Sequence, residues 1–261
     1  MIDIDPSFVE EIVQNGKRVD GRAMDAYREI HIETNVVTSA CGSARVRLGD
    51  TEVVAGIKIE PGTPFGDTPD EGVLMVGVEF VPLASPHFES GPPGEDAVET
   101  ARVVDRAIRE SKVVDFNKLC IKAGEKVWMV FVDINIMNDG GNLIDACSIA
   151  ALAALLHAKV PHLNAENKVD DTKTASEPLP IHGKPLCTTF AKIGDQIMVD
   201  PSLDETNALD ARLTVGTFEK EGKVLLCSMQ KGGQEGFTFD EVEKMIHMAE
   251  EKGKEVRKLI H

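Results

Sequence analysis

The stretch VWMVFVDINIMNDGGNLIDACSIAALAALL, residues 127–156, decides how this chain is read. Val127 to Met137 is a run rich in β-branched and apolar residues, the pattern of a buried strand. Asp139-Gly140-Gly141-Asn142-Leu143-Ile144-Asp145 follows as a glycine turn, and Ala146 to Leu156 is a small apolar helix. A glycine turn feeding a helix N-terminus suits an anion, because the first-turn N–H groups are unpaired and the dipole end is positive. Here the turn offers Leu143, Ile144 and Asp145 to that corner, with no Lys, Arg, Ser or Thr. The expectation is that an anion meets a carboxylate there instead of a cation. The geometry suits phosphate and the side chains do not.

Working outward, Asp5-Pro6 opens a short amphipathic helix, with Asp5 as N-cap and Pro6 in the first turn, and Gly16 ends it. Tyr27 to Glu33 alternates as a strand. Gly42 to Lys58 reads as a hairpin turning at Gly49-Asp50, with Val46 and Leu48 on one face and Arg45 and Arg47 on the other. Val73 to Val81 is a further buried strand, followed by a proline- and glycine-rich loop to Gly94 and a helix from Glu95 to Ser111. Lys159 to Pro185 is polar and punctuated by proline, as a linker would be. Beyond it come strand-like runs at Leu186–Ile193, Gln196–Val199, Ala211–Phe218 and Val224–Met229. A last helix starts at a Thr238–Glu241 capping box and carries Val242, Met245, Ile246, Met248 and Ala249 on one face. The fold class is therefore α+β, two pseudo-repeated halves of mixed sheet plus helices. Its expected divisions are an N-terminal helix and arm (1–26), a first half (27–160), a linker (161–185) and a second half (186–261).

The 261 residues carry a formal net charge of −16, which argues against generic adhesion to nucleic acid or to an anionic membrane. A local basic stripe remains compatible with that total. With one Trp and one Tyr, stacking on bases is not expected to dominate any nucleic-acid contact. Five scattered cysteines without a CxxC pair fit a reducing cytosol. The opening MIDIDPSFVEE has no signal-peptide pattern, and no apolar run approaches membrane-spanning length, so a soluble cytoplasmic protein is expected.

Two constellations carry candidate chemistry. Arg102, Arg106 and Arg109 are spaced so that a helix places all three guanidinium groups within roughly 60° of one another. Val98, Ala101, Val104, Ala107 and Ile108 are expected on the opposite, core-facing side. Such a stripe suits phosphate oxygens, or else forms a solvated face neutralised by Glu99, Asp105 and Glu110. Asp200, Asp204, Glu205 and Asp210 lie between two strands, where carboxylates bind a divalent ion, act as acid and base, or simply form an acidic surface loop. The seven histidines show no metal-ligand spacing, Asp67, Asp70 and Glu71 read as a solvated turn, and no metal or cofactor is expected.

GSARVRLGDTEVVAGIK, VLMVGVEFVPLAS and VWMVFVDINIM resemble the RNase PH family of phosphorolytic 3′-to-5′ exoribonucleases, and FAKIGDQIMVDPS resembles its C-terminal portion. The resemblance covers about residues 20 to 250. DGGNLIDA, PFGDTPDEGVLMV and ARVVDRAIRES are more narrowly similar to the non-catalytic RNase PH-like subunits of the archaeal exosome. The fold implied is RNase PH-like, with ribosomal S5 domain 2-like halves. In catalytic members the glycine turn carries a Gly-Thr-Arg or Gly-Ser-Arg cradle for inorganic phosphate; here Asn142, Leu143, Ile144 and Asp145 stand in its place, a degenerate phosphate turn. The catalytic acids read as Glu-Asp and then another Asp. Here Thr206 stands where the first is expected and only Asp210 matches the second, a degenerate acid site. The arginine-rich loop of RNase PH is missing too, since Val81 to Thr100 has neither Arg nor Lys. The arginine stripe matches that family's RNA-contacting helix.

The function this implies is a non-catalytic subunit of an RNA-degrading ring. Three copies would alternate with three copies of a catalytic RNase PH-like partner, and S1- or KH-domain proteins would cap one face. The chain would structure its partner's active site and bind single-stranded RNA through Arg102, Arg106 and Arg109. The alternative is that the chain is itself an active phosphate-dependent 3′-to-5′ exoribonuclease.

Overall fold

Two sheets face each other across a pair of helices, and the apolar helix of the opening stretch lies between them. The computed structural model describes residues 4–164, 166, 168–170, 175 and 177–261. In chain order the elements of the first half are α1 (Pro6–Gln14), β1 (Ile30–Thr34), β2 (Gly42–Leu48), β3 (Thr51–Gly62), β4 (Val73–Phe80), α2 (Glu95–Glu110), β5 (Cys120–Lys122), β6 (Lys126–Asn138) and α3 (Leu143–Leu156). Then come β7 (Lys159–Val160), β8 (Glu177–Pro178), β9 (Leu186–Ile193), β10 (Gln196–Val199), α4 (Leu203–Asn207), β11 (Ala211–Lys220), β12 (Lys223–Gly233) and α5 (Phe239–Arg257).

The first sheet runs β1-β2-β3-β6-β4, with β5 pairing the start of β6. All its pairs are antiparallel except β4 with β6, and a parallel pair needs a crossover, which α2 supplies. The second sheet, β10-β9-β11-β12, is antiparallel throughout. The β2–β3 hairpin turns at Gly49-Asp50, and the side-chain period of two puts Val46, Leu48, Val53, Ala55 and Ile57 inside. Arg45 and Arg47 point outward and pair with Glu33 on β1.

Every residue of α3 from Ile144 to Leu155 is buried. A helix apolar on all sides gains nothing from solvent and belongs between layers. Its small side chains let β2 approach closely. At Gly42 a Cβ would lie 2.5 Å from the Ala154 carbonyl oxygen and 2.7 Å from the Ala158 Cα, so only glycine fits.

The remaining helices close the second sheet. Asp5 accepts the Ser7 N–H and Pro6 sits in the first turn of α1, whose Val9 and Val13 pack with Ala191, Ile193 and Met198. The Thr238–Glu241 capping box opens α5, which buries Met245 and Ala249 with Phe190, Leu213 and Val215. The main core joins first-sheet residues to Leu186, Phe218, Val256 and Ile260.

Three expectations need correction or restriction. The strand read at Tyr27–Glu33 begins only at Ile30, because Tyr27 leaves the sheet line to hydrogen-bond a buried carboxylate. Val98 does not face the core; it is 45% exposed, since it lies four and eight residues before Arg102 and Arg106 and shares their stripe. The stretch from Lys159 to Pro185 is tied down where it is described: β7 pairs β8, Leu179 donates to the Ala158 carbonyl, and His182 to that of Val113. Its residues 165, 167, 171–174 and 176 lie outside the described residues. Among the described residues no helix is long and apolar enough to cross a membrane.

Candidate functional site

The glycine turn sits at the junction of both sheets. Asp139 folds back to accept the Gly141 N–H at 3.0 Å, and Asn142 caps α3 from the left-handed region, with φ 52°. Gly141, with φ 88°, has no room for a side chain, because a Cβ would sit 2.4 Å from the Leu203 nitrogen.

Asp145 does not face an incoming anion, which corrects the expectation above. It is fully buried, and its carboxylate accepts from the Tyr27 hydroxyl (2.6 Å), Asn142 Nδ2 (3.0 Å), and the Thr189 N–H (3.0 Å) and hydroxyl (2.7 Å). Burial pushes its carboxyl up to about 6 against the pull of those four donors. Burial and the neighbouring Asp145 charge likewise push the Tyr27 phenol well up. This residue joins the turn, the N-terminal arm and β9.

The acidic run is not a surface loop and does not act as one cluster. Asp200 is fully buried and receives Arg28 at 2.7 Å, Arg22 at 2.9 Å and Asn142 Nδ2 at 2.8 Å. Glu205 is also fully buried, where the Arg18 fork grips both its oxygens at 2.8 and 2.5 Å. Arg28 continues to the carbonyls of Gly140 and Gly141, so a cation does reach the turn, from behind and already paired. The sequence reading missed Arg18, Arg22 and Arg28; three arginines within eleven residues of so acidic a chain were the available signal. Thr206 donates its hydroxyl to the Ser202 carbonyl, and Asp210 accepts the Gly194 N–H at the β9–β10 turn. Among the described residues no three His, Cys, Asp or Glu side chains are placed to hold a metal ion.

A cleft of about 650 Å³ opens over the turn, between Asn142, Leu143 and Ile144 on one wall and Leu203 and Thr206 on another. Thr206 lines it; Asp145 and Asp210 do not. The carboxylates of Asp96, Glu99 and Asp139 line it too, and burial raises the last above the usual carboxylate range. Its one arginine, Arg212, is held by Glu99 at 2.6 Å. The cleft thus holds three carboxylates and His87, with no unpaired Lys or Arg among the described residues.

The stripe on α2 is the opposite case, although its three arginines are not equivalent. Arg109 is committed to Asp105, at 2.7 and 3.0 Å, and to the Leu74 carbonyl. Arg106 donates to the side-chain oxygen of Gln230, and Arg102 is exposed with no partner among the described residues. Glu99, expected as a neutraliser of the stripe, turns to Arg212 instead. Arg102 and Arg106 therefore have no carboxylate partner among the described residues, although Glu95, Asp105 and Glu110 line the same face.

Comparison with known proteins agrees with this architecture. Residues 26–161 match the model for domain 1 of the 3′ exoribonuclease family, RNase PH, and residues 183–252 match domain 2, so the chain belongs to that family. It is 47% identical to the "Exosome complex component Rrp42" of Thermococcus kodakarensis, across 100% of this chain and 95% of that protein. Another Rrp42, from Thermoplasma volcanium, is 48% identical across 98% and 94%. Within the family the likeness is thus to the Rrp42 exosome components. Among solved structures, a chain of the Archaeoglobus fulgidus exosome with RNA bound to the active site superposes with a TM-score of 0.89 at 42% identity, covering 97% of this chain and 96% of that one.

Proposed function

We propose that this chain is a non-catalytic ring subunit of an archaeal-type exosome, working in the cytoplasm beside a catalytic RNase PH-like partner. The observation that carries the reading is the cleft over the Asn142–Ile144 turn. Where catalytic members of the family hold inorganic phosphate and a general acid, this chain presents Leu143, Ile144 and Thr206 among three carboxylates, with its one arginine already paired. Phosphorolysis needs an anion to be held and its charge stabilised as the RNA linkage breaks, and this lining offers no unpaired Lys or Arg to do so.

In this reading the partner supplies the phosphate site and the acid, and the present chain buttresses that site across their contact. Three copies of each alternate in the ring, and S1- or KH-domain proteins cap it. Arg102 and Arg106 are offered to the phosphates of single-stranded RNA, a contact that needs no base readout and suits degradation of any sequence. Arg109 contributes through the Asp105 pair that stiffens the same face.

The test is an assay of the purified chain alone on single-stranded RNA with inorganic phosphate and a divalent ion. No release of nucleoside diphosphates is expected. Steady release, abolished by Asp210→Asn, would instead make the chain an active phosphorolytic exoribonuclease.

A further inference from the structure

Arg106 owes its position to a residue of the other sheet. Its Nη1 donates to the side-chain oxygen of Gln230 at 3.1 Å, and Gln230 stands on β12, 124 residues away in the chain. The amide nitrogen of Gln230 reaches the Lys231 carbonyl at 3.4 Å, an orientation that leaves the oxygen turned to the arginine. The stripe thus contains three differently held guanidinium groups: Arg109 tied by a carboxylate, Arg102 untied, and Arg106 held by a neutral amide. A carboxylate fixes an arginine and cancels its charge; an amide fixes it and leaves the charge whole. Beside this contact, a recess of about 480 Å³ between α2 and β12 is lined by Arg102, Arg106 and Gln230, by Glu95 and the Arg212-paired Glu99, and by Pro93, Val103 and the exposed Val98 as its apolar part.

We propose that Gln230 is a positioning residue for RNA: it presets Arg106 at the edge of this recess while leaving the full guanidinium charge for a backbone phosphate. The proposal rests on the reading of the stripe as an RNA contact and adds a residue from the second half of the chain to it. Preorganisation matters because an arginine left loose must surrender rotamer freedom on binding.

Complexes assembled with the catalytic partner are to be titrated with one single-stranded RNA over a range of salt, using wild type, Gln230→Met, Gln230→Glu and Arg106→Ala. Gln230→Met keeps the length and bulk of the side chain and removes its acceptor. Affinity should then fall roughly two- to tenfold with the salt slope unchanged, because charge is kept and preorganisation lost. Gln230→Glu should hold the arginine yet pair it, so the slope of log K against log salt should drop by about 0.7, the value of one lost phosphate contact on a single strand. In an Arg106→Ala background Gln230→Met should have no further effect. If Arg106→Ala weakens binding while neither change at Gln230 alters affinity or slope, the positioning role is overturned. It is equally overturned if the Gln230→Met effect persists without Arg106. If Arg106→Ala itself changes nothing, it is the reading of the stripe that fails.

Discussion

At the scale of single residues, Asp145 departs furthest from its sequence reading. Its place at the start of α3 was legible, but the direction of its side chain is set by Tyr27 and Thr189, 118 and 44 residues away, and no local pattern encodes those partners. The same holds for Arg18 and Glu205, which meet across 187 residues. The burial of Asp145 has a consequence in pH. Its carboxyl, near 3.8 when unconstrained, titrates at about 6 in the folded protein, so the folded state binds the proton more tightly. The stability this gives is present below the unfolded value and is lost as pH rises through the folded one. Between pH 5 and 8 that loss is on the order of 1 kcal/mol. Asp145→Asn can still accept from Tyr27, Asn142 and the Thr189 N–H, and its amide can donate to the Thr189 hydroxyl. Denaturant melts of the two proteins should therefore diverge in favour of the variant as pH rises across this interval. A constant difference between them would place the titration elsewhere.

At the scale of elements, periodicity carried most of the information. The β2–β3 hairpin, the strand leading to the glycine turn, and the caps of α1 and α5 were all readable, because apolar spacing and capping residues act locally. Val98 was misread because an apolar residue near a helix start looks like core whatever stripe it shares. What spacing cannot show is how near two elements lie. Gly42 is where β2 passes the end of α3 against backbone atoms that have nowhere to move. Gly42→Ala, innocuous by strand propensity, should cost about 1–3 kcal/mol through overpacking and backbone shift. Thermal or urea unfolding measures it, and an unchanged midpoint would mean that the two elements part without strain.

At the scale of the whole molecule, a net charge of −16 coexists with the arginines on one face of α2, and in the proposed reading it is this face that attracts RNA. The second sheet ends in β12, an open edge that carries exposed Leu225, Leu226 and Met229. Such an edge is costly to leave bare and is commonly covered. Mixing the chain with a catalytic RNase PH-like partner should give one discrete species of alternating chains; separate elution at micromolar concentration would remove the ring from the account. The expectation of a catalytic partner rests on family resemblance alone, since surfaces that meet another chain leave no periodic mark. The arm that joins Arg18, Arg22 and Arg28 to Asp200 and Glu205 also sets a timetable for synthesis. On the ribosome α1 and the arm emerge before the second sheet, yet α1 docks on β9 and its neighbours, and the arm's counter-charges lie beyond β10. Arg18, Arg22 and Arg28 are made well before Asp200 and Glu205 and must wait for them, so this arm is among the last parts of the fold to find its place.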